Sequence, residues 1–600
     1  MSTLARLGQL LLLPLAAICC EAKTVSYDFN VTWVTANPDG LFERKIVGIN
    51  GQWPLPVIEV DKGDQLVVNM HNDLGDKAAS IHFHGMFQNG TNEMDGPSMV
   101  TQCPVPPGSS ITYNFTVNQN GTYWYHCHTD YCYPDGYRQA LIVHDGDAFF
   151  NDDYDEELVL TMTDWYHDLV EDLSTEFMSL FNPSGAEPIP NSFLLNDTIN
   201  SSFSIKPNTT YLLRLINIGA FVGQYFYIED HTFKIVEIDG VATQFLLTTK
   251  NTTDKNYPIV AVADSTLLDT IPSDLALNNT NWLEYDESAE HPQANVNATD
   301  STALNPFDDM SVVPYDKMPL LPEPDIEIDV TLHTSQGPAL YTVLSSGGLA
   351  DNATKYGDFT HPVILNHNDV VQLVLNNGDT GSHPFHLHGH KFQVIDRAPP
   401  YGATFYDYLN GDPVPYDPNN HTDFPRYPAR RDTFVLPPHG YFVMRFVADN
   451  PGVWVFHCHI DWHLSSGLAM LMIEAPKQIQ ERTTIPQDHY NVCEAAGVRF
   501  KGNAAGNTEN FLDLGGQNEQ PGWIPGGFTS RGVVALVFSV SAICGIASMV
   551  TFGLVDIKHG KSPTPRCVMN NSNEIIVHET SPIEVIAQEN TARAGKERDS

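Results

Sequence analysis

The stretch Gly452-Val-Trp-Val-Phe-His457-Cys458-His459-Ile-Asp-Trp-His463 places one cysteine between two histidines. The Val, Trp and Phe ahead of it favour extended backbone. Side chains alternate faces along a strand, so His457 and His459 point one way and Cys458 the other. One strand can then hold a metal on each side, and the two centres are joined covalently through the Cys458 backbone. Thiolate plus imidazole is the donor set of a His₂Cys copper site, and zinc accepts it too. Further histidines, in pairs and at the same spacing, separate the two readings.

The chain supplies them. Ile81-His82-Phe-His84-Gly, Trp124-Tyr-His126-Cys-His128 and His383-Pro-Phe-His386-Leu-His388-Gly-His390 repeat the alternation. Either of the first two pairs alone reads equally well as polar surface. Ten histidines and Cys458, gathered in four clusters, do not.

Around these clusters the runs are short and rich in Val, Ile, Thr and Phe, as in Val31–Val34, Val57–Val60, Leu66–Asn69, Ile111–Val117, Tyr211–Ile218 and Phe233–Ile238. Gly, Pro and Asn punctuate them and no long helical period appears, which predicts β-sandwiches. A chain of 600 residues implies several domains. We read them as 23–146, 147–300 and 301–500, with histidine pairs in the first and third only. That pattern suggests an internal triplication, with metal sites at the contact of first and third.

The chain is 17% charged with a formal net charge of −42, which argues against a nucleic-acid partner. The acidity suits small cations, and a solvated, glycosylated surface explains it as well. Met1–Ala22, with Arg6 and the apolar run Leu10–Ile18, reads as a secretory signal peptide (1–22). Twelve Asn-x-Ser/Thr sequons between Asn30 and Asn420 support an exported ectodomain. Gly532–Val555 carries no charge and is long enough to span a bilayer (532–555), after a linker over 501–531. Lys558, Lys561 and Arg566 follow it, which places the tail 556–600 in the cytosol. A charged tail of that length argues against a lipid-anchor signal. Of nine cysteines, Cys19 and Cys20 fall in the signal, Cys544 in the membrane and Cys567 beyond it. Cys103 and Cys493 are expected to pair; the sequence leaves the pairing of Cys127 and Cys132 open.

The motifs His-x-His-Gly, His-x-His, His-x-x-His-x-His and His-Cys-His-x₃-His, in this order, resemble the multicopper oxidases over nearly the whole ectodomain. The resemblance implies an all-β chain of three cupredoxin-like, Greek-key domains ahead of the C-terminal membrane helix. It implies four copper ions: a type 1 ion on His383, Cys458 and His463, a type 2 ion on His82 and His386, and a type 3 pair on His84, His126, His128, His388, His457 and His459. Leu468 occupies the position five residues past the last histidine, implying a type 1 copper without an axial thioether and with a raised potential.

Within that family the anchor resembles that of fungal cell-surface ferroxidases. Phe177-Met-Ser-Leu-Phe-Asn-Pro-Ser-Gly-Ala-Glu187-Pro-Ile-Pro is similar to the ferroxidase loop that carries an iron-binding glutamate. Asp269 and Asp379 match the other two iron carboxylates, and Tyr356 a tyrosine near that site. The resemblance therefore implies an iron transport ferroxidase that oxidises Fe(II) while reducing O2 to water, beside an iron permease in the plasma membrane. A laccase-like oxidase of phenols or amines and a copper-binding protein without activity are the alternatives. Two departures stand out. Val236-Glu-Ile-Asp239-Gly240 runs quickly into Lys250-Asn-Thr-Thr-Asp-Lys255 without the family's Gln-Arg-Tyr, so the second domain is expected to lack inner strands. Cys127 stands where the family commonly has Ser, and is read as a small strand residue with an opposite-facing thiol.

Overall fold

The computed structural model describes residues 22–558, 566–569 and 575–578, apart from 130, 242–244, 252–253, 297–303, 305, 329–336, 359, 400–411, 420–423 and 518–529. The expected signal peptide and most of the expected tail lie outside the described residues.

The strand Gly452–Cys458 is buried at every position. It is the centre of a five-stranded sheet ordered Pro362–Leu365, Ala469–Glu474, Gly452–Cys458, His383–Leu387, Thr433–Leu436. Its alternation sorts two cores. Trp454, Phe456 and Cys458 lie with Phe385, Leu387, Met470 and Met472 in a cluster that includes Leu373, Phe442, Met444 and Phe446 of a second sheet. That sheet runs Ile326–Ile328, Val370–Asn376, Tyr441–Val447, Phe392–Ala398, Ala429–Arg431. Val453 and Val455 face the opposite way, into a core shared with Val31, Leu66, Phe83 and Tyr125 from near the N-terminus. Each such side chain, fully buried, stabilises the fold by about 1.5–3 kcal/mol. Gly389, directly after His388, has φ +70°, and a Cβ there would come within 2.6 Å of the Trp454 ring. Only glycine meets both demands.

The N-terminal pair of sheets supplies the facing histidines. One runs Arg44–Ile49, Thr24–Ala36, Gln65–Asn72, Ser110–Thr116; the other Ile58–Asp61, Arg138–His144, Gly121–His126, His82–His84. Two side-chain amides fix it against the C-terminal sandwich. Val453 N donates to Asn92 Oδ1 at 2.9 Å while Asn92 Nδ2 donates to Val453 O at 3.1 Å, so one side chain acts as a strand partner. Asn450 Nδ2 donates in turn to Phe87 O at 2.7 Å and Gly389 O at 2.9 Å. The predicted Cys103–Cys493 disulfide forms, with Cα atoms 5.2 Å apart, and ties this sandwich to the helix Gln487–Ala496.

The middle pair forms two sheets around a core of its own. Its sheets run Ser192–Leu195, Glu156–Trp165, Thr210–Asn217, Phe245–Thr248, Lys234–Ile235 and Ser202–Ser204, Asn278–Glu284, Tyr257–Ala263, Gln224–Ile228. A turn bridging Ile238 and Val241 lets Phe245–Thr248 pair directly with Thr210–Leu213. Leu160, Leu213, Leu247, Ile259 and Leu283 form a buried core.

Residues 502–517, expected to begin a linker, are instead hydrogen-bonded into the same compact unit: Ala504 N donates to Lys355 O at 2.8 Å and Asp358 N to Gln517 Oε1 at 3.2 Å. The second unit, from Gln520, contains the helix Ser530–Lys558. Among the described residues it is the one helix long and apolar enough, over Val533–Phe552, to cross a membrane.

The Cys103–Cys493 link closes a loop with a sequence separation of 390. Replacing both cysteines by serine is expected to cost about 2–5 kcal/mol, read as a lowered Tm of the purified protein.

Candidate metal centre

Cys458 ends its strand, His383 opens the neighbouring strand, and His463 sits in the helix Asp461–Ser465. Register brings them together, because Phe385 pairs with Cys458. Cys458 Sγ lies 3.4 Å from His463 Nδ1 and 3.9 Å from His383 Nδ1, and the two Nδ1 atoms are 3.0 Å apart. Their other nitrogens face carboxylates. His463 Nε2 donates to Glu187 Oε1 at 2.6 Å, and His383 Nε2 donates to Asp379 at 3.0 and 3.1 Å. Since a carboxylate only accepts, both protons sit on Nε2 and both Nδ1 lone pairs converge beside the thiol. That contact is repulsive unless a cation accepts the lone pairs. Burial pushes the Cys458 thiol well above the usual cysteine value, so a cation is also what draws off its proton. The residues present therefore fit a thiolate-binding metal. Leu468 is held beside them: its carbonyl accepts from Cys458 N at 3.0 Å and its amide donates to His463 O at 2.9 Å.

On the other face of the strand lie eight imidazoles. His82 is in register with His126, and His386 with His457. His82 stacks on His388 at 3.9 Å and His84 on His386 at 3.8 Å, while His128 and His457 approach edge to face at 5.3 Å. His459 completes the group at 4.9 Å from His84 and 5.2 Å from His126. Outward nitrogens are spoken for. His82 Nδ1 donates to Asp95 O at 2.8 Å, His388 Nδ1 to Asp95 Oδ2 at 2.9 Å and His386 Nδ1 to Asp432 O at 2.9 Å. His126 and His457 donate to the carbonyls of Cys127 and Cys458, each at 2.8 Å. Inward nitrogens are left over: Nε2 of His82, His126, His128, His386 and His459 and Nδ1 of His84 are buried without a hydrogen-bond partner. Nε2 of His388 and His457 face each other at 3.2 Å. Burial pushes the imidazoles of His84, His126, His128, His386, His388, His457 and His459 well below their usual value. They are neutral, and their lone pairs are available to metal.

Two of the expected iron-site residues stand apart. Tyr356 is buried, its hydroxyl donates to Ala350 O at 2.8 Å, and it belongs to the core that includes Val453 and Cys493, not the one around Cys458. Asp269 is exposed beside Leu268, which does pack in the Cys458 core, but no hydrogen bond joins its carboxylate to either histidine. The sequence reading missed Asp95 and Asp432, which orient the inner rings from no recognisable spacing. The pairing of Cys127 and Cys132, open in the sequence, is settled by the structure: they form a disulfide.

Family models described as multicopper oxidase match residues 30–148, 156–244 and 332–478. The chain is 49% identical to the iron transport multicopper oxidase fetC of Epichloe festucae, covering 92% of this chain and 93% of that one. It is 44% identical to the iron transport multicopper oxidase FET3 of Saccharomyces cerevisiae, covering 90% and 89%. The solved structure of Fet3p, a multicopper oxidase that functions in iron import, superposes with a TM-score of 0.78 at 45% identity, over 83% of this chain and 100% of that one. The laccase from Botrytis aclada gives 0.64 at 27% identity, over 79% and 91%. These relatives carry the cupredoxin-like fold that the paired sheets show here, and the likeness spans both histidine-bearing sandwiches; the chain belongs to the multicopper oxidase family and is an oxidoreductase.

Proposed function

We propose that this chain is a membrane-anchored ferroxidase that oxidises Fe(II) with O2 to supply iron uptake. Four Fe(II), one O2 and four protons give four Fe(III) and two waters. The observation that carries the reading is the pair of carboxylates on the outer histidines: Glu187 accepts from His463 and Asp379 from His383. When bound, copper supplies one-electron acceptance at His383, Cys458 and His463 and oxygen reduction at the eight inner histidines, four ions in all.

The chain's own residues do the rest. The Glu187 side chain is 20% exposed and that of Asp379 62%, so both can be reached from solvent. Burial works to raise the Asp379 carboxyl, but the hydrogen bonds from His383 and the Gly381 amide, with the charge of His383 and His463, together hold it below the usual value. A hard anionic oxygen pair prefers Fe(III) to Fe(II) and so lowers the cost of removing an electron. The same carboxylates touch the imidazole N–H groups, which gives two parallel routes from iron to the outer site, each one carboxylate–imidazole contact long. Cys458 then connects that site through its own backbone to His457 and His459.

We assign the helix over Val533–Phe552 as a single membrane pass, about 30 Å long at 1.5 Å per residue. The basic residues after it orient the ectodomain outward at the plasma membrane, and an iron permease in the same bilayer is the acceptor of Fe(III). In cells without the permease, this protein is expected to be retained internally; normal surface delivery would count against the partnership. Glu187→Ala is expected to lower kcat/KM for Fe(II) by about tenfold or more, with turnover of a phenylenediamine dye nearly unchanged. Equal losses on both substrates would remove Glu187 from the iron site.

A further inference from the structure

His126 and His128 are two residues apart and are held in different ways. His126 ends the strand Gly121–His126 and is fixed on both sides, opposite His82 and opposite Arg138. His128 lies beyond the strand end. Its amide donates to Ser80 Oγ at 3.2 Å and its carbonyl accepts from Ser98 N at 3.3 Å, with no ladder on either side. Yet its ring joins His388 and His457 in one group of converging donor atoms, and its Nε2 is buried without a partner.

What encloses this loosely laddered residue is the Cys127–Cys132 disulfide. Both half-cystines are buried, and the loop they close is pinned at its base, where Cys127 N donates to Tyr137 O at 2.9 Å and Tyr137 N to Cys132 O at 3.1 Å. The same loop is the wall of a cavity of about 390 Å³. Cys127, His128, Thr129, Tyr131 and Tyr133 line one side, while His457, His459 and Asp461 line the other. A shift of the loop would therefore move a donor ring and the cavity wall together.

We propose that the Cys127–Cys132 disulfide is a positioning device: it fixes His128 for the inner metal cluster and sets the wall of the adjoining cavity, where oxygen meets that cluster. The inference rests on the copper reading of the eight inner histidines. Cross-linking a short loop removes the conformers in which the ring points away, so the ligand needs no reordering when metal binds. Groups that orient a metal ligand from behind typically change metal affinity by about 10–100-fold when removed.

The test compares the detergent-solubilised full chain with its C127S/C132S variant, whose serines keep the size of the side chains and remove only the bond. Copper per chain is followed during incubation with a chelator, and KM for O2 is measured separately from kcat. The variant is expected to keep the blue colour of the outer site, to lose inner copper about tenfold faster, and to show a raised KM for O2. Chelator resistance and a KM for O2 both equal to wild type would overturn the proposal. Wild type that holds only the outer copper would overturn the copper reading of the inner cluster, and the proposal with it. Should the double variant not fold, C127A/C132A, which also removes the bond and leaves Cys458 and Cys103–Cys493 untouched, gives the same comparison with the same two outcomes.

Discussion

The structure depends on one strand that has no solvent face. Along Gly452–Cys458, even positions pack inside the C-terminal sandwich and odd positions pack against the N-terminal one. Two covalently adjacent residues, Cys458 and His457, are thereby committed to opposite sides of a sheet. An extra or missing residue in this strand would exchange the faces and separate both donor sets from their partners. The clasps at Asn92 and Asn450 and the Cys103–Cys493 link all serve the same requirement, holding two sandwiches in register across this strand.

Burial then does chemical work. In water, imidazoles this close together would take up protons and repel one another, and the thiol would compete for them. Inside the protein, desolvation disfavours the charged forms of His386 and His388, leaving neutral rings whose outward protons are fixed by a carbonyl and a carboxylate. The inward lone pairs have nothing to do except bind cations. The outer site differs in one respect. Its rings are backed by carboxylates that reach solvent, so the same contact that fixes their tautomer also connects them to a hard cation outside.

Much of this was legible in the sequence because a period of two is a strong signal. The alternation in His82-Phe-His84, His126-Cys-His128, His386-Leu-His388 and His457-Cys-His459 states which side chains share a face, and the structure brings those faces together. Glu187 and Asp379 were found through loop resemblance and proved to touch the outer histidines. Contacts made by single residues from distant loops were not legible. Asp95 acts through its carbonyl on His82 and its carboxylate on His388, and Asp432 through its carbonyl on His386, which no spacing encodes. Tyr356 matched a motif, but its hydroxyl is committed to Ala350. In the second sandwich the short segment after Gly240 reads as lost strands, and the direct pairing of Phe245–Thr248 with Thr210–Leu213 was not legible. The Cys127–Cys132 bond was open because five residues of separation permit a disulfide without requiring one.

The central claim is that the two faces of one strand hold two different metal centres that work as one oxidase. It is tested most directly by counting copper in the purified protein while recording its visible spectrum and its O2 uptake on Fe(II). The account predicts four copper ions per chain, an intense blue band from the Cys458 thiolate, and four Fe(II) consumed per O2 without release of hydrogen peroxide. A colourless protein, or a blue one that releases peroxide at two Fe(II) per O2, would contradict it.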